Sequence, residues 1–155
     1  MIELSLTVND KPVTHVVEAR RLLADFLRHD LALTGTHVGC EQGVCGMCTV
    51  LLDGEPVKSC TMLAVQAAGR DVRTVEWLGS ERELHPVQAA FRDEHGLQCG
   101  FCTPGFLLTA WALAQRGDHL DETALREELA GNLCRCTGYQ NIVAAVQRYL
   151  SEHVR

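Results

Sequence analysis

Apolar and polar positions alternate from the first residues, with Ile2, Leu4, Leu6 and Val8 on one face, the period-two signature of a half-buried strand. Asn9-Asp10 supplies a turn and Lys11–Val17 reads as the returning strand, so the chain opens on a predicted β-hairpin. The period then changes. Leu22, Leu23, Phe26, Leu27 and Leu31 recur at helical spacing, predicting an amphipathic helix near 20–30. A glycine-rich stretch from Gly35 has neither period. After it, Thr49-Val50-Leu51-Leu52 predicts a strand, Asp53-Gly54 a tight hairpin turn, and Pro56–Ser59 the start of its partner. Thr61–Ala68 reads as a short helix stopped by Gly69, and Val72–Val75 as a last strand. These elements make a small mixed sheet packed on one helix.

The pattern shifts between Trp77 and Glu83, where Gly79-Ser80 interrupts it. Beyond that boundary the periodicity is helical almost throughout. Pro86 fits a first helical position for a run to about Glu94, ended by Gly96. Thr103 as N-cap with Pro104 at N1 predicts a second helix through Gln115, closed by Gly117. Asp121 is an N-cap for a third helix to about Ala130. Asn141–His153 makes a fourth, with Ile142, Val143, Val146, Tyr149 and Leu150 as its apolar stripe. Four helices on short connections predict a compact bundle. The fold class is therefore α+β, in two domains at 1–76 and 84–155, with no internal repeat.

Composition narrows the function classes. Apolar residues make up 46% of the 155 and charged residues 22%, ordinary for a folded domain with a real core. The net charge of −6 divides evenly: residues 1–76 and residues 77–155 each carry seven Lys/Arg and ten Asp/Glu. No basic stripe exists for nucleic acid or anionic lipid. Met1–Leu6 has no basic or apolar export signature, and no run approaches 18 apolar residues. The expectation is a cytoplasmic protein without a membrane span. No Ser-His-Asp, HExxH, phosphate-loop or GxGxxG pattern occurs, so no substrate or nucleotide site is expected on this chain.

The eight cysteines carry the chemistry. Cys40, Cys45 and Cys48 lie in one loop threaded by Gly39, Gly43 and Gly46, four and two residues apart, and Cys60 follows eleven residues later. This is the plant-type [2Fe–2S] spacing, C-x4-C-x2-C…C. Such a loop must aim four thiolates inward and turn backbone N–H groups toward their sulfurs. Structural zinc favours two paired knuckles, and only Cys45 and Cys48 make one. Four disulfides would suit a short exported chain, which this is not. The second set pairs Cys99 with Cys102 before a helix N-terminus and Cys134 with Cys136 on another inter-helix loop. By spacing alone this set fits a [2Fe–2S] cluster, a four-ligand zinc or redox thiols. Other candidates have plainer readings: His37 as an ordinary loop residue, and Trp77 and Trp111 as packing between linker and bundle. Arg135 lies between two thiols, either offsetting their charge or simply solvated.

Three stretches, Cys40-Glu41-Gln42-Gly43-Val44-Cys45-Gly46-Met47-Cys48-Thr49-Val50, Gln98-Cys99-Gly100-Phe101-Cys102-Thr103-Pro104-Gly105 and Asn132-Leu133-Cys134-Arg135-Cys136-Thr137-Gly138-Tyr139, together resemble the iron–sulfur (small) subunit of the xanthine oxidase family of molybdenum hydroxylases. The resemblance covers nearly the whole chain; Met47 and Gln42 depart mildly from its pattern. It implies an N-terminal β-grasp ferredoxin domain followed by a four-helix-bundle domain, each with one [2Fe–2S] cluster. Cys40, Cys45, Cys48 and Cys60 would hold the first, and Cys99, Cys102, Cys134 and Cys136 the second. Gln98 and Cys136 would contact the molybdopterin. The implied function is an electron-transfer subunit of an oxidoreductase, relaying single electrons from the molybdopterin centre of a large subunit to FAD in a medium subunit. The implied assembly is a dimer of heterotrimers. Two alternatives stand beside it: a free two-cluster ferredoxin, and the same subunit in a reductase with reversed electron flow. The substrate would be decided on the large subunit.

Overall fold

The computed structural model describes residues 1–80, 82–117 and 119–154. Two two-residue turns organise its sheet. Asn9 and Asp10 take φ of 50° and 64°, and Asp53 and Gly54 take 52° and 88°. Two consecutive positive-φ residues give the type I′ turn whose twist suits a hairpin. The first joins β1 (Ile2–Val8) to β2 (Lys11–Val17), and the second joins β3 (Thr49–Leu52) to β4 (Glu55–Lys58). Then β5 (Asp71–Arg73) lies between the hairpins, parallel to β1 and antiparallel to β3, giving the order β2-β1-β5-β3-β4. The alternation in β1 holds for Leu4, Leu6 and Val8, which are buried, but Ile2 is 43% exposed at the sheet's end. One face of the sheet packs Leu4, Leu6, Val8, Val50, Leu52 and Val72 on Leu23, Phe26 and Leu27.

That helix differs from its expected length. It comprises α1 (Leu23–Asp25) and a π turn, Phe26–Asp30, closed by Leu31 N–H donating to Phe26 O at 3.1 Å. Residues 61–68 form 3-10 turns at Ser59–Thr61 and Ala64–Ala67 rather than a helix. The cause is a pairing that local sequence does not announce. Leu63 bridges Leu22, with Leu23 N–H donating to Met62 O and Ala64 N–H to Arg21 O, both at 2.8 Å. The backbone between the two turns must stay extended to make those bonds. The last strand ends at Arg73, because the Asn9 side chain takes over the ladder. Its Oδ1 accepts from Thr74 N–H at 2.8 Å, and its Nδ2 donates to Thr74 Oγ1 at 2.9 Å.

The second half contains α2 (Pro86–Asp93), α3 (Thr103–Arg116), α4 (Glu122–Leu129) and α5 (Gln140–His153). In the stretch between Trp77 and Glu83, Ser80 and Glu83 exchange backbone hydrogen bonds and Glu81 lies outside the described residues. Asp121 caps α4 as expected, accepting from Ala124 N–H at 2.8 Å, and Gly117 closes α3 with φ of 73°. The start of α3 is a correction: Cys102, not Thr103, is its N-cap, so Pro104 is the second helical residue. Cys102 O accepts the first helical bond, from Phe106 N–H, while Thr103 Oγ1 is buried without a partner among the described residues. No side chain caps this end of the helix. The helix at the C-terminal end begins at Gln140, after Tyr139 in the left-handed region (φ 68°).

Phe91, Phe106, Leu108, Leu125, Ile142, Val146 and Tyr149 fill the helical core. Leu51 belongs to that core too, whereas its neighbours Val50 and Leu52 face the ferredoxin-like core. All of β3 is therefore buried, which explains its continuous apolar run in place of an alternating one. The helices pack on the sheet face opposite α1, with α3 against β3.

Candidate metal centres

The first cysteine loop owes its shape to close backbone approach. Gly43 and Gly46 take φ of 75° and 76°. A Cβ on Gly39 would lie 2.9 Å from Met47 Sδ and 3.2 Å from Cys45 Sγ. The loop turns N–H groups onto sulfur, as an anionic cluster requires: Cys45 N–H donates to Cys40 Sγ at 3.4 Å and Cys60 N–H to Cys48 Sγ at 3.5 Å. Backbone donors from Cys45 and Gln42, then the Cys45 thiol, hold the Cys40 pKa down to about 6. Burial, followed by the Cys48 thiol, pushes Cys60 up to about 11. The backbone bonds thus tie these cysteines two by two, Cys45 to Cys40 and Cys60 to Cys48.

The second set repeats this scheme from two inter-helix loops. Cys99 and Cys136 have their sulfurs 3.5 Å apart, and Cys102 interacts with Cys134. Burial, then the Cys134 thiol, drives Cys102 up to about 12. At Cys134, burial pushes upward but is outweighed, and the pKa falls, because Thr137 donates both its hydroxyl (3.1 Å) and its N–H (3.4 Å) to the sulfur. Tyr139 OH accepts from Cys134 N–H at 3.0 Å and steadies the same loop. Cys99 and Cys136 are exposed, whereas Cys102 is buried.

Both sets therefore offer two pairs of thiols, the donor arrangement for two irons with two terminal thiolates each. The donor set fits a dinuclear cluster at each place.

The two loops are also joined. Leu133 N–H donates to Cys45 O at 2.8 Å and Asn132 Nδ2 to Gly46 O at 3.4 Å. Lys58 Nζ donates to Gly131 O at 2.7 Å. His37, read from sequence as a plain loop residue, donates through Nδ1 to Phe101 O at 2.7 Å and stacks on the Phe101 ring at 4.7 Å between centroids. Trp77 meets Trp111 edge-on at 5.3 Å and donates to Asp10 Oδ2, the packing role expected of it. Arg135 is exposed and makes no contact with a carboxylate among the described residues. Gln98 is exposed beside Cys99, and its amide has no partner among the described residues. Sequence reasoning missed Lys58, Asn132 and Tyr139. Only their places near or within the cysteine motifs hinted at them.

The architecture and paired thiols define a two-cluster electron-transfer protein. Comparison with known proteins agrees. Residues 6–74 match the 2Fe-2S iron-sulfur cluster binding domain family and residues 74–147 the [2Fe-2S] binding domain family. The 6-hydroxypseudooxynicotine dehydrogenase complex subunit beta of Paenarthrobacter nicotinovorans is 61% identical over 143 residues, covering 90% of this chain and 89% of that one. Caffeine dehydrogenase subunit gamma of Pseudomonas sp. strain CBB1 is 56% identical over 147 residues, covering 93% and 88%. A chain of quinoline 2-oxidoreductase from Pseudomonas putida 86 superposes with a TM-score of 0.94 at 48% identity, covering 99% of this chain and 96% of that one. The chain belongs to the iron–sulfur (small) subunits of the xanthine oxidase family of molybdenum hydroxylases. It is an electron-transfer component of an oxidoreductase, built to carry two [2Fe–2S] clusters, and a free ferredoxin is not favoured because its relatives are subunits of complexes.

Proposed function

We propose that this chain works beside a large molybdopterin-binding subunit and a medium FAD-binding subunit, in a cytoplasmic dimer of heterotrimers. The split of the chain into 1–76 and 84–155 follows the two cysteine sets. In this reading Cys40, Cys45, Cys48 and Cys60 hold one cluster, and Cys99, Cys102, Cys134 and Cys136 hold the other. When bound, the clusters supply one-electron steps between the molybdopterin and FAD. The chain's own residues do the rest. The glycine-shaped loop and its N–H donors stabilise sulfur charge at Cys40 and Cys48. Thr137 does the same at Cys134. Gln98, with both an amide donor and an acceptor unpaired among the described residues, is suited to a pterin edge beside Cys136. The observation that carries this reading is geometric: N–H groups of the first loop donate to the Cys40 and Cys48 sulfurs, and two separate loops bring the Cys99 and Cys136 sulfurs to 3.5 Å. Three similar relatives are named for caffeine, nicotine and 6-hydroxypseudooxynicotine, which supports an N-heterocyclic aromatic compound as the substrate class of the complex. Their names as dehydrogenases and a hydroxylase support electron flow away from substrate, toward FAD.

Native mass spectrometry of the complex isolated from its source cells tests this. Expected are two larger chains, FAD, molybdenum and four irons on this subunit. A lone chain carrying four irons would establish the free carrier instead, and zinc on this chain would overturn both.

A further inference from the structure

Lys58 is one of only two lysines in the sequence, and its position is unusual for that residue. It ends β4 in register with Thr49, the residue after Cys48, and stands two residues before Cys60. Its side chain crosses to the helical half. There Nζ donates to Gly131 O at 2.7 Å and, less closely, to Asn132 Oδ1 at 3.5 Å, while on the sheet side it donates to Thr49 Oγ1 at 3.3 Å. All three donors of the ammonium are engaged, and all three acceptors are neutral. No carboxylate pairs with it among the described residues. A partly buried cation without an anion is costly, so its charge needs a counterpart. Its register opposite Thr49 and its place two residues before Cys60 set it beside the first cysteine set; burial lowers its pKa, opposed by the charges of the Cys48, Cys45, Cys60 and Cys40 sulfurs.

We propose that Lys58 is the fixed counter-charge of the ferredoxin-domain cluster, a positioning residue that raises the reduction potential of that centre and holds its loop against the 131–133 segment. The inference rests on the reading of Cys40, Cys45, Cys48 and Cys60 as cluster ligands, and it uses the lysine as a charge, not as a titrating group. Reduction adds one electron to the four-thiolate unit, makes it one charge more negative and moves no proton or ligand. An ammonium held in a medium less polarisable than water stabilises that added charge. The hydrogen bond to Gly131 O keeps the ammonium from swinging out to solvent, and it ties the charge to the loop that leads into Cys134.

The test is a dithionite titration of the intact complex, followed by the separate electron paramagnetic resonance signals of the two reduced centres. It is run on the native protein, Lys58→Gln and Lys58→Arg, each first shown to hold four irons on this subunit. Lys58→Gln is expected to lower the midpoint of the ferredoxin-domain centre and to displace the helical-domain centre less. Lys58→Arg, which retains the charge, stays near the native value. An unmoved midpoint in iron-replete Lys58→Gln overturns the proposal, as does an equal displacement of both centres. Should Lys58→Gln fail to retain iron, Asn132→Asp carries the test, because it places a carboxylate on one of the ammonium's own acceptors. The same downward displacement is expected there, and an unmoved potential overturns the role. Loss of the plant-type signal from the native protein itself would instead contradict the ligand assignment.

Discussion

At the scale of single residues, His85 shows how an unremarkable position acquires a pH dependence. It is the N-cap of α2: Nδ1 accepts from Val87 N–H at 3.2 Å, while Gln88 Oε1 accepts from His85 N–H at 2.8 Å. Burial, aided by the charge of His153, lowers the His85 pKa. Protonation converts the Nδ1 acceptor into a donor and breaks the cap. With the folded pKa below the unfolded value, the unfolded chain binds the proton first as pH falls. The stabilisation is therefore present above about 6.5, the ordinary histidine value, and is lost as pH drops from there through the lower folded value. His85→Asn, a cap that does not titrate, should remove this part of the acid sensitivity. In denaturant titrations at pH 7.5 and 5.5, the native protein should lose about 0.5–1.5 kcal/mol more than the variant, the worth of one hydrogen bond. Equal losses would assign the cap no role. The cysteines stand at the opposite end of legibility. The spacing of Cys40, Cys45, Cys48 and Cys60 is local and specific, whereas that of Cys99, Cys102, Cys134 and Cys136 leaves zinc and redox thiols open without the wider resemblance. Lys58 and Asn132 could not be read from the chain, since their partners lie 73 and 86 residues away and no local rule connects them.

Elements were legible where local chemistry decides and illegible where a distant partner does. Both hairpin turns were plain because Asn-Asp and Asp-Gly carry the positive φ the turn needs. The 61–68 segment was not, since its extended centre answers to Leu22 across the fold. The start of α3 shows a third case, in which contact with another element overrides propensity. Gly105 stands in the first turn of that helix, where alanine would be preferred by roughly 1 kcal/mol. Yet a Cβ there would strike Gly46 O and lie 2.8 Å from Asn132 Nδ2. Gly46 in turn would meet Gly131 O and Asn132 with any side chain. The backbone of the first cluster loop, the helix after Cys102 and the loop before Cys134 meet here with no room for a methyl group. Gly105→Ala should thus destabilise, by about 1–3 kcal/mol for overpacking against rigid backbone, despite its better helix propensity. Thermal unfolding of the iron-loaded protein checks this. A midpoint at or above the native one would show that the three segments can separate without cost.

For the molecule as a whole, the close meeting of the two cysteine loops leaves one face whose character neither domain has alone. Leu97 and Phe101 flank exposed Cys99, with relative exposures of 41% and 44%; Leu133, at 43%, precedes the loop that carries exposed Cys136. Val44, at 58%, adjoins the Cys45 O to Leu133 N–H bond and extends the apolar surface to the first loop. Large apolar side chains gathered around two exposed cysteines are costly in water, and they match the composition of an interface core. His37 fixes the ring of Phe101 by stacking and by bonding its carbonyl, so this anchor is rigid before any partner arrives. Pre-organised aromatic anchors carry a disproportionate share of binding energy. Phe101→Asp should accordingly weaken assembly with the larger subunits by at least about tenfold, roughly 1.4 kcal/mol or more, while leaving four irons on the chain, because Phe101 ligates nothing and its ring lies outside both cores. Co-purification of the larger chains, read against iron content, separates the two effects. Native-level assembly in the variant would place the docking face elsewhere on the molecule. Loss of iron with loss of assembly would show instead that the His37–Phe101 contact supports the loops themselves. The apolar rim and the exposed cysteines lie within the same few residues, so a partner that docks on Phe101 would meet Cys99 and Cys136 at the same face.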